Sequence, residues 1–263
     1  MTPGPLEAQL RARRDEGRKL LVPYVTGGVP GWPHALEAVA QSGADAIEVG
    51  IPFSDPVMDG PVVQAASQLA LDAGATPPAI VDELARIDAG VPLAVMTYYN
   101  PVFRAGEERF AHSLAEAGVA GAIIPDLPLE ESPPWTAAAD AAGVETVLLA
   151  APTATDERLV RICDRSRGFV YAVALLGVTG EREALAATAR STARRLKAVT
   201  DLPVLVGVGI STAAHAVEAC RDADGVVIGS AVVRRLLDED GPDAAAQFVA
   251  EVRDRLDGGP GGG

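Results

Sequence analysis

Short apolar runs alternate with amphipathic segments along almost the whole of this chain. Many of the runs are apolar at successive positions, as in Ala122, Ile123 and Ile124, which is typical of parallel strands covered on both faces. The predicted strands are residues 21–26, 44–50, 92–98, 119–125, 144–150, 168–174, 203–208 and 224–228. Eight parallel strands separated by helices predict an α/β fold with a closed (β/α)8 TIM barrel, with an open doubly wound sheet as the alternative.

The amphipathic segments supply the outer helices of such a barrel. They include residues 33–42, 106–117, 130–142, 155–166, 182–199 and 212–221, and another helix is expected to begin at Pro61. An extra helix at about residues 5–17 is expected before the first strand, and a short one from about Ser230 after the last. The 263 residues suit one barrel, which typically takes about 250. We therefore expect a single domain over residues 1–257 and a disordered Gly-rich tail over 258–263.

The charge of the chain restricts its partners. A formal net charge of -14 makes the surface repel nucleic acid phosphates and anionic membranes. The first twenty residues lack the apolar core of a signal peptide, and no apolar run is long enough to span a bilayer. We expect a cytoplasmic protein that binds neither nucleic acid nor membrane.

Two carboxylates stand out at the end of the second predicted strand. Glu48 interrupts an apolar strand, and Asp59 follows in a loop that Pro52, Pro56 and Gly60 allow to fold back. An unpaired buried carboxylate is costly, so Glu48 either has a buried partner or has a raised pKa that chemistry can use. Asp59 could equally cap the next helix. The pattern alone leaves a catalytic and a structural interpretation about equal.

Other common catalytic groups are absent from the predicted strand ends. The two lysines of the chain, Lys19 and Lys197, fall before the first strand and inside a helix, which excludes a Schiff-base aldolase. His34, His112 and His215 lie singly in helical segments, so a metal site is not expected. Carboxylates remain as the main proton-transferring groups.

Glycines follow the last three predicted strands, within residues 177–180, 207–211 and 229–230. Glycine lets backbone N–H groups approach a phosphate, and a helix that begins near Ser230 would direct its positive end at the anion. In barrels of this kind the loops after strands 7 and 8 commonly bind phosphate. The sequence therefore predicts a phosphorylated substrate held by amide dipoles.

Residues 47–61, with the sequence Ile-Glu-Val-Gly-Ile-Pro-Phe-Ser-Asp-Pro-Val-Met-Asp-Gly-Pro, closely resemble a signature of the tryptophan synthase alpha chain family. Residues 23–26, 96–101, 126–131 and 177–180 resemble further motifs of that family, in the same order along the chain. The resemblance covers roughly residues 5–255. Departures from the better-known pattern occur at Val29, Ser67, Leu175 and Leu176.

The resemblance implies a reaction and two catalytic residues. The family's barrel cleaves indole-3-glycerol phosphate by a retro-aldol reaction into indole and glyceraldehyde 3-phosphate, without a cofactor. Glu48 would be the general acid and base, acting at the indole C3 and at the glycerol hydroxyl. Asp59 would remain ionised and stabilise the indole N–H as positive charge develops. Glu48 must then hold a proton near neutral pH, which an apolar pocket favours.

The resemblance also implies roles in binding. Tyr171 would lie beside Glu48, and Thr179 would close over Asp59 and exclude water. The indole would be bordered by Tyr24, Tyr98 and Val208. The phosphate would be held by Gly180, Gly209, Gly229 and Ser230.

A partner protein is implied as well. Members of the family work in an alpha2beta2 heterotetramer with a beta chain that carries pyridoxal phosphate and receives indole through a tunnel. Asp55 and Pro56 resemble the docking edge for that beta chain. No cofactor and no metal are implied on this chain.

Three other functions stay open at this point. A stand-alone indole-3-glycerol-phosphate lyase would release free indole and would not respond to a beta chain. A phosphosugar isomerase would use the phosphate loops but not residues 51–56. A non-catalytic barrel would activate a partner enzyme even without its two carboxylates.

Overall fold

The computed structural model describes residues 2–174, 182–207, 209–238 and 241–258. In this part of the chain eight parallel strands pair in sequence order and close into a barrel through the pairing of the first with the last. They are β1 (Leu20–Thr26), β2 (Ile47–Gly50), β3 (Leu93–Met96), β4 (Gly121–Ile123), β5 (Glu145–Ala150), β6 (Val170–Val173), β7 (Val204–Gly207) and β8 (Gly225–Ile228). The predicted (β/α)8 barrel is confirmed.

Helices surround the strands and also cover one end of the barrel. Within the described ranges they are α1 (Pro5–Asp15), α2 (Trp32–Gln41), α3 (Pro61–Asp72), α4 (Pro77–Leu84), α5 (Tyr99–Ala105), α6 (Glu107–Glu116), α7 (Pro133–Ala142), α8 (Asp156–Arg165), α9 (Arg182–Lys197), α10 (Ala213–Ala219), α11 (Ser230–Leu237) and α12 (Gly241–Leu256). Local sequence explains several starts. Proline occupies the first turn of α1, α2, α3, α4 and α7, where its missing N–H costs nothing. Threonine hydroxyls cap α4, α8 and α10.

The apolar runs predict the strands better than they predict their limits. The fourth strand is predicted over residues 119–125, but β4 covers only Gly121–Ile123. Val119 and Ile124 are nevertheless buried, because the ends of the run pack between barrel and helices outside the ladder. The helices α4, α5 and α12 are additional to those expected from amphipathic periodicity. Among the described residues, none of the helices has the length and apolar character that crossing a membrane requires.

Helix α1 closes the N-terminal end of the barrel. Leu6 and Leu10 are fully buried and pack with inward-facing strand residues such as Val22, Phe169 and Leu205. The carboxylate of Glu145, at the start of β5, accepts hydrogen bonds from the backbone N–H of Leu6 (2.7 Å) and from that of Glu7 (3.0 Å). These N–H groups belong to the first turn of α1 and have no partner inside the helix. A strand residue therefore caps a helix that lies far from it in sequence.

A buried ionic cluster joins the last helix to the N-terminal end of β2. Asp45 is 1% exposed and accepts a hydrogen bond from the Leu21 N–H (2.8 Å). Arg253 of α12 lies 3.3 Å from one carboxylate oxygen, and Arg18 Nε lies 2.9 Å from the other at an angle unsuited to a hydrogen bond. Arg253 also donates to the Lys19 carbonyl (2.8 Å) and pairs with Asp257. We call Asp45, Arg18 and Arg253 the Asp45 cluster.

Candidate active site

Glu48 lies on β2 near the C-terminal mouth of the barrel, between Tyr24 of β1 and Ala94 of β3 in the strand register. It is 1% exposed, and its Oε2 atom accepts no hydrogen bond from the described residues. Burial, and next the charge of Asp59, raise the pKa of Glu48 from its ordinary 4.5 to about 8. The carboxyl group therefore holds a proton at neutral pH, because no cation among the described residues offsets its burial.

Asp59 lies near the end of the β2 loop, by which we mean residues 51–60. Its backbone N–H bonds to the Pro56 carbonyl (3.0 Å), which turns the chain back toward the barrel. The side chain is half-buried, and burial raises the pKa of Asp59 while a hydrogen bond from Tyr98 lowers it. Gly60, rather than Asp59, is the N-cap of α3, and Asp59 makes no capping hydrogen bond. The alternative in which Asp59 serves as a helix cap is therefore excluded by the geometry.

Tyr98 holds the β2 loop against the barrel. It is 3% exposed and directly precedes α5. Its hydroxyl oxygen accepts a hydrogen bond from the Met58 N–H (2.9 Å), and its O–H group donates one to Asp59 Oδ2 (3.0 Å). The ring stacks on Phe53, with centroids 5.1 Å apart and planes at 26°. The neighbouring Tyr99 hydroxyl instead donates to Glu107 (2.7 Å) on α6, away from the loop.

Two more tyrosines lie close enough to the carboxylates for their charges to matter. Burial, and next the charge of Asp59, raise the pKa of Tyr24 well above its ordinary range. Burial, and next the charge of Glu48, do the same to the pKa of Tyr171. A Cβ on Gly50 would approach the Tyr24 hydroxyl within 1.8 Å, and one on Gly207 would lie 2.6 Å from the Tyr171 hydroxyl. Glycine is required at both positions, because the tyrosines occupy that space.

Three of the residues predicted to hold phosphate, Gly209, Gly229 and Ser230, belong to the described part of the chain. They lie at the same C-terminal mouth of the barrel as Glu48. Gly209 has a positive φ of 43°, and Gly229 is the N-cap of α11, which begins at Ser230. A Cβ on Gly60 would lie 3.8 Å from Ser230 Oγ, so the end of the β2 loop adjoins the start of α11. Gly229 in turn lies beside Tyr24. The carboxylates and the predicted phosphate site are therefore close together.

Several residues that the sequence analysis assigns to the site fall outside the described ranges. They are Thr179, Gly180 and Val208, together with the departures Leu175 and Leu176. The other two departures, Val29 and Ser67, are buried at 1% and 4% exposure.

The outer side of the β2 loop is exposed. Asp55 is exposed and accepts a hydrogen bond from the Ser54 hydroxyl (2.6 Å), while Pro56 is half-buried. Val57 and Met58 follow with 76% and 42% of their surface exposed. The segment predicted to dock a partner thus presents apolar side chains as well as a carboxylate.

The structure adds apolar residues to the site that the sequence did not reveal. A cavity of about 350 Å³ opens between Met58 of the β2 loop and the C-terminal ends of β4 to β6. Its lining includes Pro125, Leu127, Leu149 and Val173. Their position at or just beyond the C-terminal ends of strands indicates the site, but an apolar residue there is equally typical of the core. In the described part of the chain, no His, Cys, Asp and Glu residues cluster as a metal site.

This arrangement is suited to proton transfer on a flat apolar molecule that carries an anionic group. A neutral, buried Glu48 can donate a proton, and Asp59 can stabilise positive charge that develops on the substrate. The apolar cavity can hold a ring. Gly209, Gly229 and the start of α11 offer backbone N–H groups to the anion.

Comparison with known proteins gives a consistent result. Residues 10–257 match the family model described as "Tryptophan synthase alpha chain". The tryptophan synthase alpha chain of Thermobifida fusca is 45% identical, over 97% of this chain and 97% of the relative. That of Streptomyces coelicolor is 47% identical, over 92% of this chain and 90% of the relative.

Solved structures agree with the sequence relatives. A chain of tryptophan synthase from Mycobacterium tuberculosis superposes with a TM-score of 0.89 at 38% identity, covering 97% of this chain and 99% of that one. The alpha subunit from Legionella pneumophila has a TM-score of 0.87 at 29% identity, with 97% and 99% covered. The chain therefore belongs to the tryptophan synthase alpha chain family, whose members are lyases of tryptophan biosynthesis.

Proposed function

We propose that this chain cleaves indole-3-glycerol phosphate into indole and glyceraldehyde 3-phosphate. The observation that carries the proposal is Glu48, a buried carboxyl group with one oxygen that accepts no hydrogen bond from the described residues and with a pKa that burial and the charge of Asp59 raise to about 8. A group that is protonated at neutral pH and lies in a barrel mouth matches what the retro-aldol reaction needs.

The reaction begins with a proton from Glu48. The proton is transferred to C3 of the indole, which converts the ring to an indolenine with positive charge at nitrogen. Asp59 accepts a hydrogen bond from the ring N–H and stabilises that charge. The pKa of Asp59 is raised by burial, and the Tyr98 hydrogen bond opposes this rise and favours the ionised form.

Carbon–carbon cleavage follows. The ionised Glu48 removes the proton of the hydroxyl on the glycerol carbon attached to C3. The bond between C3 and that carbon breaks, its electron pair restores the aromatic indole, and the carbon becomes the aldehyde of glyceraldehyde 3-phosphate. Glu48 ends protonated, as it began, so the cycle consumes no cofactor.

The binding residues are proposed by position. The indole would occupy the apolar cavity beside Met58, Leu127 and Leu149, next to Tyr98, whose hydroxyl bonds the Met58 N–H. The phosphate would lie at Gly209, Gly229 and Ser230, where α11 directs its N-terminus toward the anion. Thr179, Gly180 and Val208, which resemble family residues, would complete the site.

A beta chain is the proposed partner. The family and the solved complexes of tryptophan synthase support such a partner. The exposed outer side of the β2 loop, with Asp55, Pro56 and Val57, is the proposed docking edge. We propose an alpha2beta2 assembly in which the beta chain carries pyridoxal phosphate and receives the indole.

Indole release tests the proposal. Purified chain is incubated with indole-3-glycerol phosphate, alone and with a tryptophan synthase beta chain, and indole is quantified by chromatography. We expect slow release alone and strong stimulation by the beta chain. No indole in either condition would contradict the proposal, whereas release without stimulation would indicate a stand-alone lyase.

A further inference from the structure

We infer that the Tyr98 hydroxyl is a positioning group, which fixes Asp59 in its catalytic orientation by bonding the β2 loop at two adjacent residues. The inference rests on the proposed function and assigns Tyr98 a role separate from bordering the indole. The ring provides the border, whereas the hydroxyl acts on the loop.

The β2 loop needs such a contact because it has little structure of its own. No helix or strand covers residues 51–60. Gln64 of α3 donates to the Asp59 carbonyl (2.9 Å) and so holds the backbone at that residue. The Asp59 side chain is held instead by the Tyr98 hydroxyl, 3.0 Å from Oδ2. Backbone and side chain are thus fixed from two different elements.

The direction of the Tyr98 hydrogen bonds is determined by its neighbours. The Met58 N–H can only donate, so the Tyr98 oxygen accepts there (2.9 Å), and its hydroxyl hydrogen is left to point at Asp59. A donor fixed in this way stabilises the ionised carboxylate. The hydrogen bond from Tyr98 accordingly lowers the pKa of Asp59 against the rise caused by burial.

The ring of Tyr98 also stacks on Phe53, which is a second contact between Tyr98 and the β2 loop. Phe53 lies near the start of the loop and Asp59 near its end, and both contact Tyr98. Since Tyr98 itself is anchored at the end of β3, its ring and hydroxyl together connect loop and barrel. Tyr98→Phe removes the hydroxyl but keeps the ring, which separates the two functions.

Other ionisable groups also face this pair. Asp126, in the loop after β4, acts electrostatically on Tyr98, and Glu48, Tyr24 and Tyr171 lie around the carboxylates on β2, β1 and β6. None of them changes in Tyr98→Phe, so a shift in that variant reports the hydroxyl itself.

The test compares Tyr98→Phe with Tyr99→Phe, whose lost hydroxyl bonds Glu107 outside the loop. Indole release by the full chain is measured against substrate concentration and pH. For Tyr98→Phe we expect a fall of roughly tenfold in kcat with little change in KM, because one hydrogen bond to a charged group is lost. The acid limb of the kcat profile should move to higher pH, since Asp59 then ionises less readily. Tyr99→Phe should match the parent.

A second measurement is independent of turnover. The pKa of Asp59 is followed by carbon-13 NMR of chain labelled at aspartate, and it should rise in Tyr98→Phe and stay constant in Tyr99→Phe. An unchanged Asp59 pKa, or a Tyr98→Phe variant with parental kcat and pH profile, overturns the inference. If the parent releases no indole, the proposed function fails, and the NMR comparison still decides the role of Tyr98.

Discussion

Asp45 lies two residues before β2 and Glu48 is the second residue of that strand, and both are 1% exposed. Asp45, at the N-terminal end, has Arg18, Arg253 and the Leu21 N–H as partners. Glu48, within the strand, has an oxygen without any hydrogen bond from the described residues, and the like charge of Asp59 adds to the rise in its pKa that burial causes. Burial raises the pKa of both carboxyl groups, but the Leu21 N–H and the two guanidinium groups lower that of Asp45 again, whereas the charge of Asp59 raises that of Glu48 further.

The difference between the surroundings of Asp45 and Glu48 agrees with the usual roles of the two ends of such a barrel. Active sites of such barrels lie at the C-terminal ends of the strands, and residues at the N-terminal ends mainly stabilise the fold. A cation beside Glu48 would lower its pKa and remove the proton that the reaction needs. A missing cation beside Asp45 would leave a buried charge with no compensation. The comparison can be tested by changing each carboxylate alone.

The largest effect is expected from Asp45→Asn. The change removes the carboxylate that Arg18 and Arg253 share, although Arg253 keeps its pair with Asp257, and breaking a buried ion pair typically costs about 3–5 kcal/mol. We expect a loss of about 3 kcal/mol in the free energy of unfolding, measured by urea titration. Asp72→Asn is the control, because Asp72 is exposed and bonds only Gln68 among the described residues. A loss below about 1 kcal/mol would show that the Asp45 cluster adds little.

A slightly smaller effect, on rate rather than stability, is expected from Glu48→Gln. General acid–base groups contribute roughly 10²–10⁴-fold, so kcat for indole release should fall by roughly 10²-fold or more, about 2.7 kcal/mol in the barrier. Steady-state assays with indole-3-glycerol phosphate measure it. Glu116→Gln, an exposed change on α6, should retain full activity. Near-normal turnover in Glu48→Gln would refute the proposed mechanism.

The smallest of the three effects is a gain in stability in the same Glu48→Gln variant. The pKa of Glu48 is about 8 in the folded protein and ordinarily 4.5, so the folded state binds the proton more tightly. Wild-type stability should therefore fall as pH rises from 4.5 toward 8, and the glutamine variant should lack this loss. We expect the variant to be more stable by on the order of 2 kcal/mol near pH 8 and to resemble wild type near pH 4.5. Denaturant titrations across that pH range measure the difference, and equal stability at pH 8 would contradict an unpaired Glu48.

The sequence predicts the barrel architecture and, of the two carboxylates compared, it singles out only Glu48. Consecutive apolar residues indicated buried parallel strands, and a carboxylate inside such a run was conspicuous at Glu48. Asp45 gave no comparable signal, since its partner Arg253 is 208 residues away in the chain. Contacts at such separation depend on how the barrel closes, which periodicity does not describe.

Within the candidate site, the sequence does not predict the directions in which side chains point or the groups that they contact. Tyr98 was predicted to border the substrate, but its hydrogen bonds to Met58 and Asp59 depend on how residues 51–60 fold back. Leu127 and Leu149 line the cavity, although their sequence context is that of ordinary core residues. Residue type and spacing therefore indicate the proposed proton-transferring groups, whereas the hydrogen bonds that hold them are visible only in the three-dimensional structure.

The capping of α1 by Glu145 has a consequence for the nascent chain. Leu6 emerges from the ribosome early, but the carboxylate that bonds its N–H is made 139 residues later. Pairing of β1 with β8 waits still longer, until Gly225–Ile228 has been synthesised. Contacts between distant segments cannot stabilise a chain before both segments exist. Helix α1 is thus capped only after the 139 residues up to Glu145 have followed Leu6, and the barrel closes only once β8 has been made.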